Sequence, residues 1–258
     1  MEQITAVIIT HNEADNIGRC LDSLKGVADE VVVVDSGSTD ATEAISRASG
    51  ARFERHDWCG YAEQKNYANS LATHPWLLSI DADEELSDTL RRQLLGLKAS
   101  GLDKGTVYAV RRLNNYCGQW IRHGGWYPDI KRRLWHKATA RWEGTIHEEL
   151  CGGWQREQLV AGDLLHYSYK SFAALAQRQE RYAALAAEAA FARGKRCKAT
   201  TLWLRPLWTF VRNYLFKGGF LDGRAGYIVC RMSAHYNFMK YALLQEKQKQ
   251  ETSCPKEQ

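Results

Sequence analysis

Apolar residues in the first hundred positions fall into short unbroken runs, and segments with a helical period separate them. Residues 4–10 (Ile-Thr-Ala-Val-Ile-Ile-Thr) form a β-branched run that predicts a buried strand. Ile17, Cys20, Leu21 and Leu24 then recur at helical spacing before Gly26. A second buried run at 31–34 stops at Asp35-Ser36-Gly37-Ser38-Thr39-Asp40. Asp40 with Glu43 three residues on predicts a capped helix over about 41–49. A strand over 51–55, a helix over 60–72, a strand over 76–80 and a helix over 88–99 capped by Ser87 follow. Residues 106–112 read as another strand.

Unalternated strands interleaved with helices predict an α/β chain with a mostly parallel sheet covered on both faces. Ligands of such sheets bind at the carboxyl ends of the strands. Polar clusters at 10–13, 35–40 and 81–85 all fall there.

The segment 113–169 is rich in Gly, Trp and Arg and has no simple period. From Ser171 the pattern is helical again. Phe172, Leu175, Tyr182, Leu185 and Ala189 form a stripe ended by Gly194, and further helices are expected over 202–216 and 226–244. The polar residues from Gln245 on are expected to fray. The expected organisation is a catalytic domain over 1–169, with halves 1–112 and 113–169, and a helical extension over 170–258.

Charge sharpens that division. The net charge is +5, but residues 170–258 hold 16 Lys and Arg against 6 Asp and Glu, which leaves −5 for residues 1–169. Arg205, Arg212, Lys217, Arg224, Arg231 and Lys240 alternate there with Trp203, Trp208, Tyr214, Phe216, Phe220 and Tyr227. That composition suits contact with an anionic membrane surface, or simply a solvated helical face. No stretch of about 18 residues is free of charge, so no spanning helix is expected, and the N-terminus has no secretory pattern. Seven widely spaced cysteines without a Cys-x-x-Cys argue for reduced thiols and a cytoplasmic protein.

The candidate chemistry centres on Asp81 and Asp83, which follow the run 76–80. As i and i+2 of an extended segment they would share a face and could hold a hard cation that takes its other ligands from substrate phosphates. There is no P-loop and no Gly-x-Gly-x-x-Gly fingerprint, so metal and side chains would have to neutralise phosphates. Lys65 is a candidate for the nucleotide side, or a helix-surface lysine.

Thr10-His11-Asn12-Glu13, Asp35-Ser36-Gly37-Ser38-Thr39-Asp40 and Asp81-Ala82-Asp83, in that order, resemble the family 2 glycosyltransferases, whose fold is GT-A. Later segments resemble the branch of that family that works in lipopolysaccharide core assembly as heptose β-1,4-glucosyltransferases. These are Arg122-His123-Gly124-Gly125-Trp126-Tyr127-Pro128-Asp129, Gly144-Thr145-Ile146-His147-Glu148 and Leu165-His166-Tyr167.

The resemblance implies that Asp35 reads a uracil edge and that Thr10, Asn12 and Glu13 seat the nucleoside. It implies a divalent cation, Mg2+ or Mn2+, with Asp83 as direct ligand, Asp81 nearer the ribose, and His166 joining the metal. Gly124 and Gly125 would form the acceptor loop; Trp126 beside them, read from its own chemistry, either offers an aromatic face to a sugar or packs in the core. The base would be Glu148 or Asp129, with Glu148 preferred and His147 orienting it or touching the diphosphate. The family's usual Glu-Asp pair is replaced here by His147-Glu148-Glu149, so both candidates stay open.

The expected activity is inverting transfer of a hexose, glucose first, from a UDP-sugar to a lipid-linked saccharide of the lipopolysaccharide inner core. It would take place in the cytoplasm or on the cytoplasmic face of the inner membrane, with no nucleic acid partner. The rival readings are a nucleotidyltransferase and a non-catalytic module that binds sugar nucleotide or RNA.

Overall fold

The computed structural model describes residues 2–144 and 148–253. Two compact units emerge, one of residues 1–113 and 128–167, the other of 114–127 and 168–258. The expected boundary after residue 169 does not allow for this: the stretch 114–127 belongs with the helices.

The first unit opens with β1 (Ile4–Thr10), α1 (Ile17–Leu24), β2 (Glu30–Asp35), α2 (Thr42–Ala48), β3 (Arg52–Arg55), α3 (Tyr61–Leu71) and β4 (Trp76–Ser79). Then come β5 (Glu84–Leu86), α4 (Asp88–Ser100), β6 (Thr106–Tyr116), β7 (Gln119–Ile121, within the second unit), β8 (Asp129–His136), β9 (Ala140–Glu143), β10 (Glu149–Gly152) and β11 (Arg156–Tyr169). The main sheet runs β3-β2-β1-β4-β8-β6-β11-β5, with β7 on β6, and β9 and β10 form a separate pair. Pairing is parallel from β3 to β4, whereas β8 pairs antiparallel with both β4 and β6.

The unbroken apolar runs are explained by two cores. Ile4, Ala6 and Ile8 of β1 enter one cluster with Val33, Trp76 and Leu78. Val7 enters the other with Val32, Val34 and Leu77. Alternate side chains of one strand thus bury on opposite faces. Helix α1 buries Ile17, Cys20, Leu21 and Leu24, the four residues its period selects. Each such Ile or Leu is worth about 1.5–3 kcal/mol of transfer free energy. Ser87 caps α4 as expected, its Oγ accepting from the Leu90 N–H at 3.3 Å.

The second unit holds α5 (Phe172–Ala192), α6 (Ala199–Val211), a π-helical turn (Arg212–Phe216), a 3-10 turn (Gly219–Asp222) and α7 (Gly223–Ser253). Two expectations need correction here. Helix α5 buries Leu175, Ala183, Ala187 and Ala190, while Phe172 is exposed. Leu175 of the expected stripe is buried and Tyr182, Leu185 and Ala189 are half-buried, but close helix packing adds the small Ala183, Ala187 and Ala190, and Phe172 falls outside. Helix α7 also runs on to Ser253 instead of fraying from Gln245.

Candidate active site

Parallel pairing of β1 with β2 puts Thr10 beside Asp35 at the strands' carboxyl ends. The two turns that follow lock together. Asn12, at φ 55°, holds a left-handed conformation that Asn tolerates better than most residues. Its N–H donates to Ser38 Oγ at 2.7 Å, and its Oδ1 accepts from the Thr39 N–H at 2.9 Å. The Glu13 N–H donates to Thr42 Oγ1 at 2.9 Å, and Glu13 Oε2 accepts from Asn16 at 2.7 Å. Asp40 accepts from the N–H groups of Thr42 and Ala14, both at 3.0 Å, so it caps α2 from outside and staples the two turns.

Asp35 is buried and builds its own turn. It accepts from the Gly37 N–H at 2.9 Å, the Ser38 N–H at 2.7 Å and the Ser38 hydroxyl. A carboxylate offers about four lone-pair sites, so one is left for a ligand. The Thr10 hydroxyl is buried without a hydrogen-bond partner among the described residues.

Asp81 and Asp83 do not leave the strand on one face. β4 ends at Ser79, and the Glu84 N–H donates to the Asp81 carbonyl at 2.9 Å, closing a turn over 81–84. The two carboxylates therefore part. Asp81 pairs with Lys65 at 3.2 Å and Arg133 at 2.9 Å. Burial works to raise its pKa, but the charges of Arg133 and then Lys65 prevail and hold it well below the usual carboxylate range.

Asp83 Oδ2 instead lies 3.1 Å from His166 Nε2. Strand register does this. β11 pairs antiparallel with β5 so that His166 stands opposite Glu84, next to Asp83. Among the described residues no group of three or more His, Cys, Asp or Glu is set to hold a metal ion. Asp83 and His166 supply one oxygen and one nitrogen donor, a pair that fits a cation completing its shell with water and phosphate oxygens.

Lys65, buried on α3, is the central cation. Its Nζ reaches Asp81 and also Glu148, at 3.1 Å, and lies 4.6 Å over the Trp142 ring. Glu148, just before β10, is about one quarter exposed. The other candidate base is differently held. Asp129 accepts two bonds from Arg112, at 2.9 and 2.7 Å, and pairs with Lys131 at 3.1 Å. Burial raises its pKa, yet Arg112 and Lys131 outweigh this and lower it. His147 lies outside the described residues.

Gly124, Gly125 and Trp126 belong to the second unit. Both glycines have positive φ, 68° and 83°. A Cβ on Gly124 would stand 2.9 Å from Cys230 Sγ, so the loop passes where no side chain fits. The buried Asp222 holds the loop, accepting from the N–H groups of Arg122 at 3.0 Å and His123 at 2.8 Å and from His123 Nδ1 at 2.9 Å. The Trp126 indole donates to Ser233 Oγ at 3.4 Å, and its ring sits 5.7 Å from Tyr169, so it packs within its unit.

Sequence reading did not find Arg112, Arg133, Glu84 or Asp222. Glu84 is fully buried and accepts from both arginines. A buried charge needs such partners. The available signal was Arg133 two residues before Trp135, on the inner side of an alternating strand.

This arrangement, with polar turns at the ends of parallel strands and a carboxylate turn on the fourth, can be set beside known proteins. The model of glycosyl transferase family 2 matches residues 5–155. The chain is a family 2 glycosyltransferase. Its fold is the GT-A type with a C-terminal helical part. It is 32% identical over 259 residues to an uncharacterized glycosyltransferase of Rickettsia felis, covering 95% of this chain and 90% of the relative. It is 31% identical to LpsC of Rhizobium meliloti, a lipopolysaccharide core biosynthesis glycosyltransferase, covering 95% of this chain and 92% of the relative. Among solved structures it is similar to glucosyl-3-phosphoglycerate synthase of Mycobacterium tuberculosis in complex with Mn2+, UDP and glucosyl-3-phosphoglycerate. That match has 28% identity and a TM-score of 0.36, and it covers 44% of each chain. No residue role is carried over from so partial an overlap.

Proposed function

We propose that this glycosyltransferase moves a hexose, glucose first, from a UDP-sugar to a lipid-linked saccharide of the lipopolysaccharide inner core, on the cytoplasmic side and with inversion. The relative named for lipopolysaccharide core biosynthesis supports the acceptor class. The observation that carries the chemistry is Lys65, whose one ammonium group ties the Asp81–Asp83 turn to Glu148.

In this reading Thr10 gives its unpartnered hydroxyl to the nucleoside, and the Asn12–Glu13 turn shapes the seat. Asp35 uses its remaining lone pair on the uracil N–H. Asp83 and His166 would hold a divalent cation, whose charge would stabilise the departing diphosphate. Glu148 takes the proton of the acceptor hydroxyl as that oxygen bonds to the anomeric carbon. The bond to the β-phosphate oxygen breaks with its electron pair leaving on UDP, and one displacement inverts the centre. Asp129 is the weaker candidate base, because Arg112 and Lys131 already engage both its oxygens and hold it ionised.

The test is UDP release from a panel of UDP-sugars with Mn2+ or Mg2+. Asp83→Ala and His166→Ala should each lower metal-stimulated release by about 10²–10³-fold. Glu148→Gln should lower kcat by roughly 10²–10⁴-fold with donor affinity retained. Full activity in Glu148→Gln would return the base to Asp129. Failure of every UDP-sugar to bind or turn over would overturn the donor assignment.

A further inference from the structure

One face of the second unit is built inside out. On α6, Trp203, Leu204, Leu207 and Trp208 recur at i, i+1, i+4 and i+5, which is one side of a helix. All four are exposed, Trp203 at 73%. The opposite side carries the buried Thr209, whose Oγ1 accepts from Asn237 of α7 at 3.3 Å. The helix thus packs through Thr209 and the half-buried Phe210, whose ring lies 5.8 Å from Tyr227, and shows a second apolar side to solvent. The π-helical turn extends the patch with Leu215 and Phe216, the latter 73% exposed and 5.9 Å from the Trp208 ring. A contiguous apolar surface of this kind marks an interaction site.

Charge identifies the partner. Residues 189–221 contain seven Lys and Arg and no Asp or Glu. All seven are exposed, and among the described residues only Arg196 has an acidic partner, Glu251 at 2.8 Å. A second copy docked by two-fold symmetry would bring these cations face to face. Nucleic acid would use the cations but leaves four leucine-and-tryptophan positions of α6 without a purpose. An anionic bilayer takes both, with rings and leucines entering the headgroup boundary and Lys198, Arg205 and Lys217 meeting lipid phosphates. No helix among the described residues is long and apolar enough to cross a membrane, so the segment lies along the surface.

We infer that α6 and the π-helical turn form a seat for an anionic lipid bilayer. The seat also grips the glycine loop of its own unit: the Gly124 N–H donates to the Lys217 carbonyl at 2.9 Å, and Asp222, six residues past Phe216, holds Arg122 and His123. The inference holds whichever sugar is transferred.

The experiment is co-sedimentation of the full chain with phosphatidylcholine vesicles, with and without phosphatidylglycerol, at low and high salt. Wild type should pellet with the anionic vesicles and at least tenfold less with phosphatidylcholine alone. Trp203→Ser/Phe216→Ser should lose at least tenfold of this binding, and Lys198→Gln/Arg205→Gln should lose the preference for phosphatidylglycerol. Both pairs are exposed, and an unchanged thermal midpoint verifies the fold. Absence of wild-type binding, or equal binding by the variants, overturns the proposal. So does a dimer in sedimentation velocity that Trp203→Ser/Phe216→Ser dissolves, because that assigns the face to a second copy.

Discussion

Lys65 decides most of the local electrostatics. It is buried, it contacts two carboxylates, and its ring partner Trp142 closes one side. Lys65→Met should cost about 2 kcal/mol in a urea titration. That lies below the range for breaking a fully buried pair, because Asp81 and Glu148 keep some solvent and Asp81 keeps Arg133. The same variant should lose donor turnover, since the carboxylate turn and Glu148 are no longer held together.

Acid should expose the pairs of Asp29, Asp81 and Asp129, all with lowered pKa values. A depressed carboxyl pKa adds stability that is complete above the unfolded value, near 3.8, and is lost as pH falls toward the folded one. His136, held below the usual imidazole range by burial, should bring a small loss in thermal midpoint between pH 7 and 5, and the carboxylate pairs should bring a steeper drop below about pH 4. A midpoint that does not drop further below about pH 4 would contradict this network. Asp83, His166, Glu148 and Lys65 were nominated from motif context, and the structure sets Asp83 beside His166 and Lys65 beside Glu148. Arg133, which pairs with Asp81 and Glu84, was not visible, because those contacts join positions about 50 apart.

Among elements, the parallel half was legible from pattern alone. Strands buried on both faces leave unbroken apolar runs, and α1 shows its period in four residues. The strands after residue 113 were not legible. Some are short, such as Gln119–Ile121, the long Arg156–Tyr169 is half wet with mixed burial, and their register comes from distant neighbours. Helix α5 misled because alanine, its true contact residue, carries little hydrophobic signal. The tail of α7 misled because polarity was read as disorder, although Gln, Lys and Glu are good helix formers.

Ser87 links two elements at once: its Oγ caps α4 and also accepts from the Asp163 N–H of β11 at 3.1 Å. Ser87→Ala should cost about 1–2 kcal/mol by chemical denaturation, more than an ordinary cap, because a second donor loses its partner. Gly162 sits beside this junction at φ 99°, and a Cβ there would fall 2.4 Å from the Leu90 nitrogen. Gly162→Ala should impair folding outright, seen as loss of soluble protein.

At the scale of the molecule, the chain crosses between its two units after residues 113, 127 and 167. Tyr116 and Ile121 belong to the core of Leu175, Ala225, Val229 and Met232. A truncation at residue 169 keeps Tyr116 and Ile121 but removes those four partners. The fragment should expose fresh apolar surface and bind a hydrophobic dye, where a true domain boundary would yield a clean monomer. This threading bears on heredity. A unit visited twice by the chain cannot be exchanged by one recombination event, because a single crossover delivers only part of it. The helical unit and its glycine loop are therefore inherited with the sugar-transfer unit or not at all. The relatives from Rickettsia and Rhizobium align with 95% of the chain, across both units.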